Sequence, residues 1–168
     1  EKKKYEKVPI GEGWNELTKD TWIDNIKSIE KPIHHFSTLT GEKTGVVVVD
    51  IDTHGNNKNT MNIWNSLLEK NGDIETLKVL TPSKGLHYYF KYTNEISFMK
   101  NKSKCFKFNN KILDIDLRTN GGCAIIPPSS QGDTKYEWAS NPYETDILEM
   151  PKWLIDLYDD KKTVDSYI

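Results

Sequence analysis

The sequence predicts an α+β domain, a central sheet with helices packed against it. Three observations carry this. Val46-Val47-Val48-Val49 is an unbroken β-branched run, the pattern of a strand buried on both faces. Thr60 to Lys70 instead sets Met61, Trp64, Leu67 and Leu68 on one side at helical spacing. The second half is then dominated by short strand-like segments, at Leu77–Leu80, Leu86–Tyr92, Ile112–Leu117 and Cys123–Ile126.

The remaining elements follow in chain order. Residues 1–13 read as an arm ending in the Gly11-Glu12-Gly13 turn, and Thr21 to about Ser28 as a short helix with Thr18 or Asp20 near its N-cap. Thr53 to Asn59 is a polar loop. Thr134–Trp138 is expected to pair back as a hairpin. Trp153–Tyr158 is expected to form a terminal helix after Pro151, within a helical extension over 141–168. No internal repeat and no dividing linker is visible, so residues 1–168 are expected to form one domain.

Composition narrows the class. Hydrophobic residues make up 36% and charged residues 29%, which excludes a disordered chain. No apolar run is long enough to span a bilayer, and the N-terminus lacks the apolar stretch of a signal peptide, so an intracellular protein is expected. The chain does not begin with Met and is expected to be part of a longer protein. Cys105 and Cys123 match neither a zinc pattern nor a disulfide framework and read as reduced thiols. The net charge of −2 does not favour a nucleic-acid partner, but its distribution is uneven. Lys100, Lys102, Lys104, Lys107 and Lys111 form one basic stretch, and Lys2, Lys3, Lys4 and Lys7 another. Each fits a solvated surface or a phosphate-contacting track.

The four valines lead into Asp50-Ile51-Asp52. Residues i and i+2 of a strand share a face, about 6–7 Å apart, so Asp50 and Asp52 project together while Ile51 points into the core. Two carboxylates at the end of a buried strand need neutralising. A pair of Mg²⁺ or Mn²⁺ ions, which prefer hard oxygen ligands, would do so. Asp114-Ile115-Asp116-Leu117-Arg118 is a second acidic strand that can supply a third carboxylate. A calcium loop beginning at Asp50 fails because the twelfth position is Met61 and no helix precedes it.

Two further constellations stand out. In Thr81-Pro82-Ser83-Lys84-Gly85-Leu86-His87, a polar turn bearing Lys84 precedes a strand on which His87, Tyr89 and Lys91 share a face. Backbone N–H groups of such a turn, with Ser83, Lys84 and Gly85, can meet a phosphate. His87 fits either that role or a structural one. His34, His35 and His54 lack such a setting. Next, Asp116-Leu117-Arg118 runs into an Asn120-Gly121-Gly122 turn, an apolar strand and Pro127-Pro128-Ser129-Ser130. Of 23 basic residues, Arg118 alone is Arg. Its planar fork fits an ion pair with Asp116, or contact with a phosphate or the surround of a metal. Ser129 is a weaker candidate for hydrogen bonding a nucleotide.

In order and spacing, Val46 to Asp52, Thr81 to Phe90 and Ile115 to Ser129 together resemble the prim-pol domain of the archaeo-eukaryotic primase superfamily. That pattern is an apolar strand with Asp-x-Asp/Glu, then Thr-x-Ser-Gly-Gly-x-His-x-Tyr-Phe, then Asp-x-Arg, a Gly-Gly turn and Pro-Pro-Ser. Lys7-Val8-Pro9, Trp14 and Thr40-Gly41 also fit, so the resemblance covers about residues 7–140. It is most similar to the N-terminal part of primase-helicases of large DNA viruses, phages and plasmids. One departure is Lys84 where a Gly is usual.

The resemblance implies an RNA-recognition-motif-like sheet core with a smaller packed α/β unit. It implies that Asp50, Asp52 and Asp116 hold two divalent cations, Mg²⁺ or Mn²⁺, and that His87 contacts the phosphates of an incoming NTP or dNTP. The implied activity is template-directed transfer of nucleotides to a 3′-hydroxyl with release of pyrophosphate. Its partners would be single-stranded DNA template or primer-template, tracked by Lys100 to Lys111, and a helicase domain in the same parent chain. A sugar-nucleotide transferase, a metal-dependent nuclease and a non-catalytic module binding DNA or a helicase remain as alternatives.

Overall fold

The computed structural model describes residues 35–53 and 58–160 continuously, with scattered positions between 14 and 33. The expected N-terminal arm, His34, His54, most of the segment from 21 to 28 and the last eight residues lie outside the described residues. Contacts divide the chain into two units, residues 1–33 and residues 34–168. In the first, Trp14–Glu16 form one turn of 3-10 helix. In the second, mixed helix and strand surround mostly antiparallel sheet.

β1 (Phe36–Leu39) precedes the four-valine strand β2 (Val46–Ile51). Helix α1 (Lys58–Asn71) follows, longer than its apolar spacing predicts by two residues at the N-terminus and one at the C-terminus. Then come β3 (Lys78–Leu80), β4 (Leu86–Lys91), β5 (Phe106–Phe108), β6 (Lys111–Leu113), β7 (Ile115–Arg118) and β8 (Cys123–Ile126). Three two-residue strands, β9 (Ser130–Gln131), β10 (Thr134–Lys135) and β11 (Glu137–Trp138), lead to α2 (Lys152–Ile155). The main sheet has the order β11-β3-β4-β2-β7.

Three sequence expectations change. The segment Ile112–Leu117 is two strands: β6 pairs with β5, while β7 joins the main sheet beside β2, with a bend at Asp114 between them. The expected Thr134–Trp138 hairpin is also divided, because β10 pairs with β9 and β11 with β3. The terminal helix is shorter than Trp153–Tyr158 and starts one residue earlier.

The valine run is buried on both faces because both faces of β2 are covered. Val47, Val49 and Ile51 face α1, in a core that includes Trp64, Tyr88, Phe90, Ile115 and Leu117. Trp64 is fully buried, meets Tyr88 edge-on at 5.1 Å between ring centroids and donates its indole N–H to the Tyr88 hydroxyl. The hydroxyl gives the indole a partner that the core otherwise lacks. Val48 faces the other way, packing with Val79, Tyr89, Ala124 and Tyr136. Ala124 belongs to β8, whose ribbon with β1 therefore covers part of that face.

Candidate active site

The register of the main sheet assembles the site. Asp50 lies opposite His87 on β4 and opposite Asp116 on β7. Residues directly opposite in antiparallel strands share a face with Cβ atoms about 4.5–5.5 Å apart. His87, Asp50 and Asp116 thus form one transverse row. Just beyond the row, the Asp52 N–H donates to the Asp114 carbonyl at 3.0 Å, which holds the end of β2 to the bend before β7. In the other direction Val48 pairs with Tyr89 and Arg118. Two carboxylates, one imidazole and the single arginine of the chain share one sheet face, with Asp52 and Asp114 at its end. Asp50, Asp52, Asp116, His87 and Arg118 were expected to meet. Asp114, which the family pattern passes over, lies at the bend before β7, bonded through its carbonyl to the Asp52 N–H.

Each acid has a distinct setting. The Asp116 carboxylate accepts from the Lys104 N–H at 2.9 Å on one oxygen, and from Ser103 Oγ at 2.8 Å and Arg118 Nη2 at 2.7 Å on the other. Asp114 Oδ1 is paired with Lys104 Nζ at 2.8 Å. The exposed Lys104 ammonium is held above its ordinary pKa chiefly by the hydrogen bond it donates to Asp114 and by that residue's charge, with smaller contributions from Asp116 and Asp52. His87 Nε2 lies 3.5 Å from Asp50 Oδ1, and the ring is almost wholly buried, 6.0 Å from the Tyr136 ring. The neighbouring Tyr89 hydroxyl is buried without a hydrogen-bond partner among the described residues. Burial, and secondarily the charge of Asp50, push its pKa well above that of free tyrosine.

Sequence reasoning missed Ser103 and the paired role of Lys104. Lys102 exchanges both backbone hydrogen bonds with Leu117, which lays residues 102–104 along the free side of β7. Asn101 reinforces this by accepting the Thr119 N–H on its side chain. An all-polar stretch, Asn101-Lys102-Ser103-Lys104, carries no apolar alternation to announce such pairing.

The turn before His87 is also specific. The Thr81 N–H donates to the Gly85 carbonyl, the Lys84 N–H to the Thr81 carbonyl and the Gly85 N–H to Thr81 Oγ1. The Lys84 and Gly85 N–H groups are therefore engaged inside the turn. Lys84 keeps an exposed side chain and a left-handed backbone, φ 67°. Gly85 is required by close approach, since a Cβ there would lie 2.4 Å from the Ile51 carbonyl oxygen. Ser83 Oγ shares a hydrogen bond with Thr81 Oγ1, and the Ser83 carbonyl accepts from Thr53 Oγ1. The turn is thereby tied to the loop that follows Asp52.

Ser129 has a different place from the one expected. Its hydroxyl accepts the Phe36 N–H at 2.7 Å and donates back to the Phe36 carbonyl, and the residue is 1% exposed. It fastens β1 to the loop after β8. Of the basic stretch, Lys100, Lys102, Lys104 and Lys111 are exposed and Lys107 is half-buried.

The donor chemistry of the row fits a hard divalent cation. Among the described residues, however, no three His, Cys, Asp or Glu side chains are gathered closely enough to hold one. Arg118 and Lys104 engage the two acids on the β7 side. No helix among the described residues is long and apolar enough to cross a membrane.

A match over residues 3–153 to the bifunctional DNA primase/polymerase N-terminal (Prim-Pol) family model spans most of the chain. The chain belongs to the Prim-Pol family, whose members are associated with DNA primase and polymerase activity. No curated protein matches it.

Proposed function

We propose that this domain is a template-directed nucleotidyltransferase, extending or starting a DNA-templated strand from NTPs or dNTPs. The observation that carries the reading is the row of carboxylates beside His87 on one sheet face, inside a chain that belongs to this family. The topology supports it. β2, α1, β3, β4 and β7 follow one another with spatial order β3-β4-β2-β7, all antiparallel, an order that agrees with the RNA-recognition-motif-like core this reading calls for.

In this reading Asp50, Asp52 and Asp116 hold two Mg²⁺ or Mn²⁺ ions. When bound, the ions supply a lowered pKa for the attacking 3′-hydroxyl and charge neutralisation at the triphosphate. The protein's own residues do the positioning. Ser103, the Lys104 N–H and Arg118 fix the position of the Asp116 carboxylate. His87, buried on a central strand, offers a fixed imidazole next to Asp50 for the nucleotide's phosphates. The exposed Lys84 ammonium, on a turn made rigid by Thr81 and Gly85, adds positive charge there. Ser83 acts by shaping that turn. Lys100, Lys102, Lys107 and Lys111 would track template phosphates. Coupling to a helicase in the parent chain belongs to the same proposal.

The test is primer extension on a single-stranded template with labelled dNTPs or NTPs and Mn²⁺ or Mg²⁺, comparing the wild type with Asp50→Asn/Asp52→Asn. Template-dependent products that vanish in a variant with an unchanged melting temperature support the reading. Strand cleavage would indicate a nuclease, and nucleotide binding with transfer to a sugar a different transferase.

A further inference from the structure

We propose that Lys104 is a tethered counter-ion of the carboxylate row, held at Asp114 beside it and released when a divalent cation binds the row. The inference rests on the metal-dependent reading above and deepens it. Three observations support it. First, Lys104 is seated by its backbone: its N–H is bonded to Asp116, its φ is 51°, and Lys102 is laddered to Leu117. The ammonium is thus delivered to the row from a fixed base. Second, the Lys104 side chain is 66% exposed while that of Asp114 is 13% exposed. Leaving the pair puts the lysine into water at small loss, but leaves a mostly covered carboxylate in need of another cation.

Third, the acids are divided by their cations. Lys104 takes Asp114, and Arg118 with Ser103 takes Asp116, while Asp50 faces His87. No three of them converge among the described residues. Arg118 is fixed on the same strand as its partner, two residues away. Lys104 reaches in from the segment paired to the free side of β7. A doubly charged ion with hard oxygen ligands outcompetes one ammonium once its concentration suffices. The expected consequence is that this chain binds divalent metal more weakly than its four carboxylates alone would, and that the weakness is located in one side chain.

The test is Mn²⁺ binding to the full chain, followed by the electron paramagnetic resonance signal of free Mn²⁺, without nucleotide or DNA. Lys104→Gln removes the charge. Lys104→Gly removes it in a residue suited to the left-handed backbone, so a misfolded glutamine variant does not end the test. Lys152→Gln, which breaks an exposed Lys–Asp pair on α2, is the control for lost surface charge. We expect both Lys104 variants to tighten Mn²⁺ binding roughly three- to tenfold and the control to leave it unchanged. Wild-type binding that is unchanged or weakened in both Lys104 variants overturns this inference alone. Absence of Mn²⁺ binding in every protein overturns the metal-dependent reading and this inference with it.

Discussion

Gly85→Ala puts the turn before His87 under direct strain, and the structure gives its size. The new Cβ would lie 2.4 Å from the Ile51 carbonyl oxygen, where such contacts essentially never fall under 3.0 Å. Ile51 cannot retreat easily. It pairs with Leu86 on one side and Ile115 on the other, and it stands between Asp50 and Asp52. Either the Thr81–Gly85 turn opens or the end of β2 is pushed out of register with the row. Overpacking of this kind costs about 2–3 kcal/mol, which lowers the melting temperature by roughly 4–12 °C in a domain of this size. Gly121→Ala is the matched comparison. Its backbone is left-handed, φ 82°, but nothing lies within 4 Å of an added Cβ. The cost there is backbone strain alone, about 1–2 kcal/mol, with no displacement of β2. Thermal melting monitored by circular dichroism, together with Mn²⁺ affinity, separates the two. Gly85→Ala should lose both stability and metal affinity, and Gly121→Ala stability only. A Gly85→Ala protein melting within about 1 °C of wild type with unchanged Mn²⁺ affinity would refute the close approach and its link to the carboxylates.

Other substitutions probe separate parts of the account. Lys84→Gly should raise stability by about 0.5–1 kcal/mol, because Lys84 holds a left-handed backbone, while raising the KM for nucleotide; a melt and a nucleotide titration check both. Trp64→Ala should cost about 3–5 kcal/mol, since a fully buried indole and its bond to Tyr88 are lost, and urea unfolding reads this directly. Tyr89→Phe should be neutral or slightly stabilising in the same assay, because the hydroxyl it removes is buried without a partner among the described residues. Burial pushes the Cys105 thiol up to about 11, from an ordinary 9.0. Between those values the unfolded chain has released the proton and the folded one keeps it, so Cys105 lowers stability as pH rises from about 9 to 11. Cys105→Ala should flatten that part of the stability–pH profile.

Much of this arrangement is legible in the sequence, for identifiable reasons. Four successive valines fit a strand covered on both faces, and the period of two then puts Asp50 and Asp52 on one side of Ile51. The Trp64 face of α1 follows from helical spacing. What is not legible depends on long-range pairing. β1, with Phe36 exposed and Ser37 in its middle, has no buried face to betray it until β8 is placed beside it. The break at Asp114 is hidden because Leu113 to Leu117 alternates as a single strand would, although Leu113 and Ile115 belong to different sheets. The basic stretch reads as one surface, whereas Lys104 is committed to Asp114 and its neighbours to β7. Ser129 follows a strand and two prolines, as the family pattern has it, yet its hydroxyl serves the Phe36 backbone.

The central claim is that the carboxylate row performs templated nucleotide transfer. The most direct measurement offers four primer-templates, differing only in the first unpaired template base, to one nucleotide at a time with Mn²⁺. Each template is expected to accept only its complementary nucleotide, and Asp116→Asn to abolish addition on all four. Addition that ignores the template base, or that survives Asp116→Asn, would contradict it.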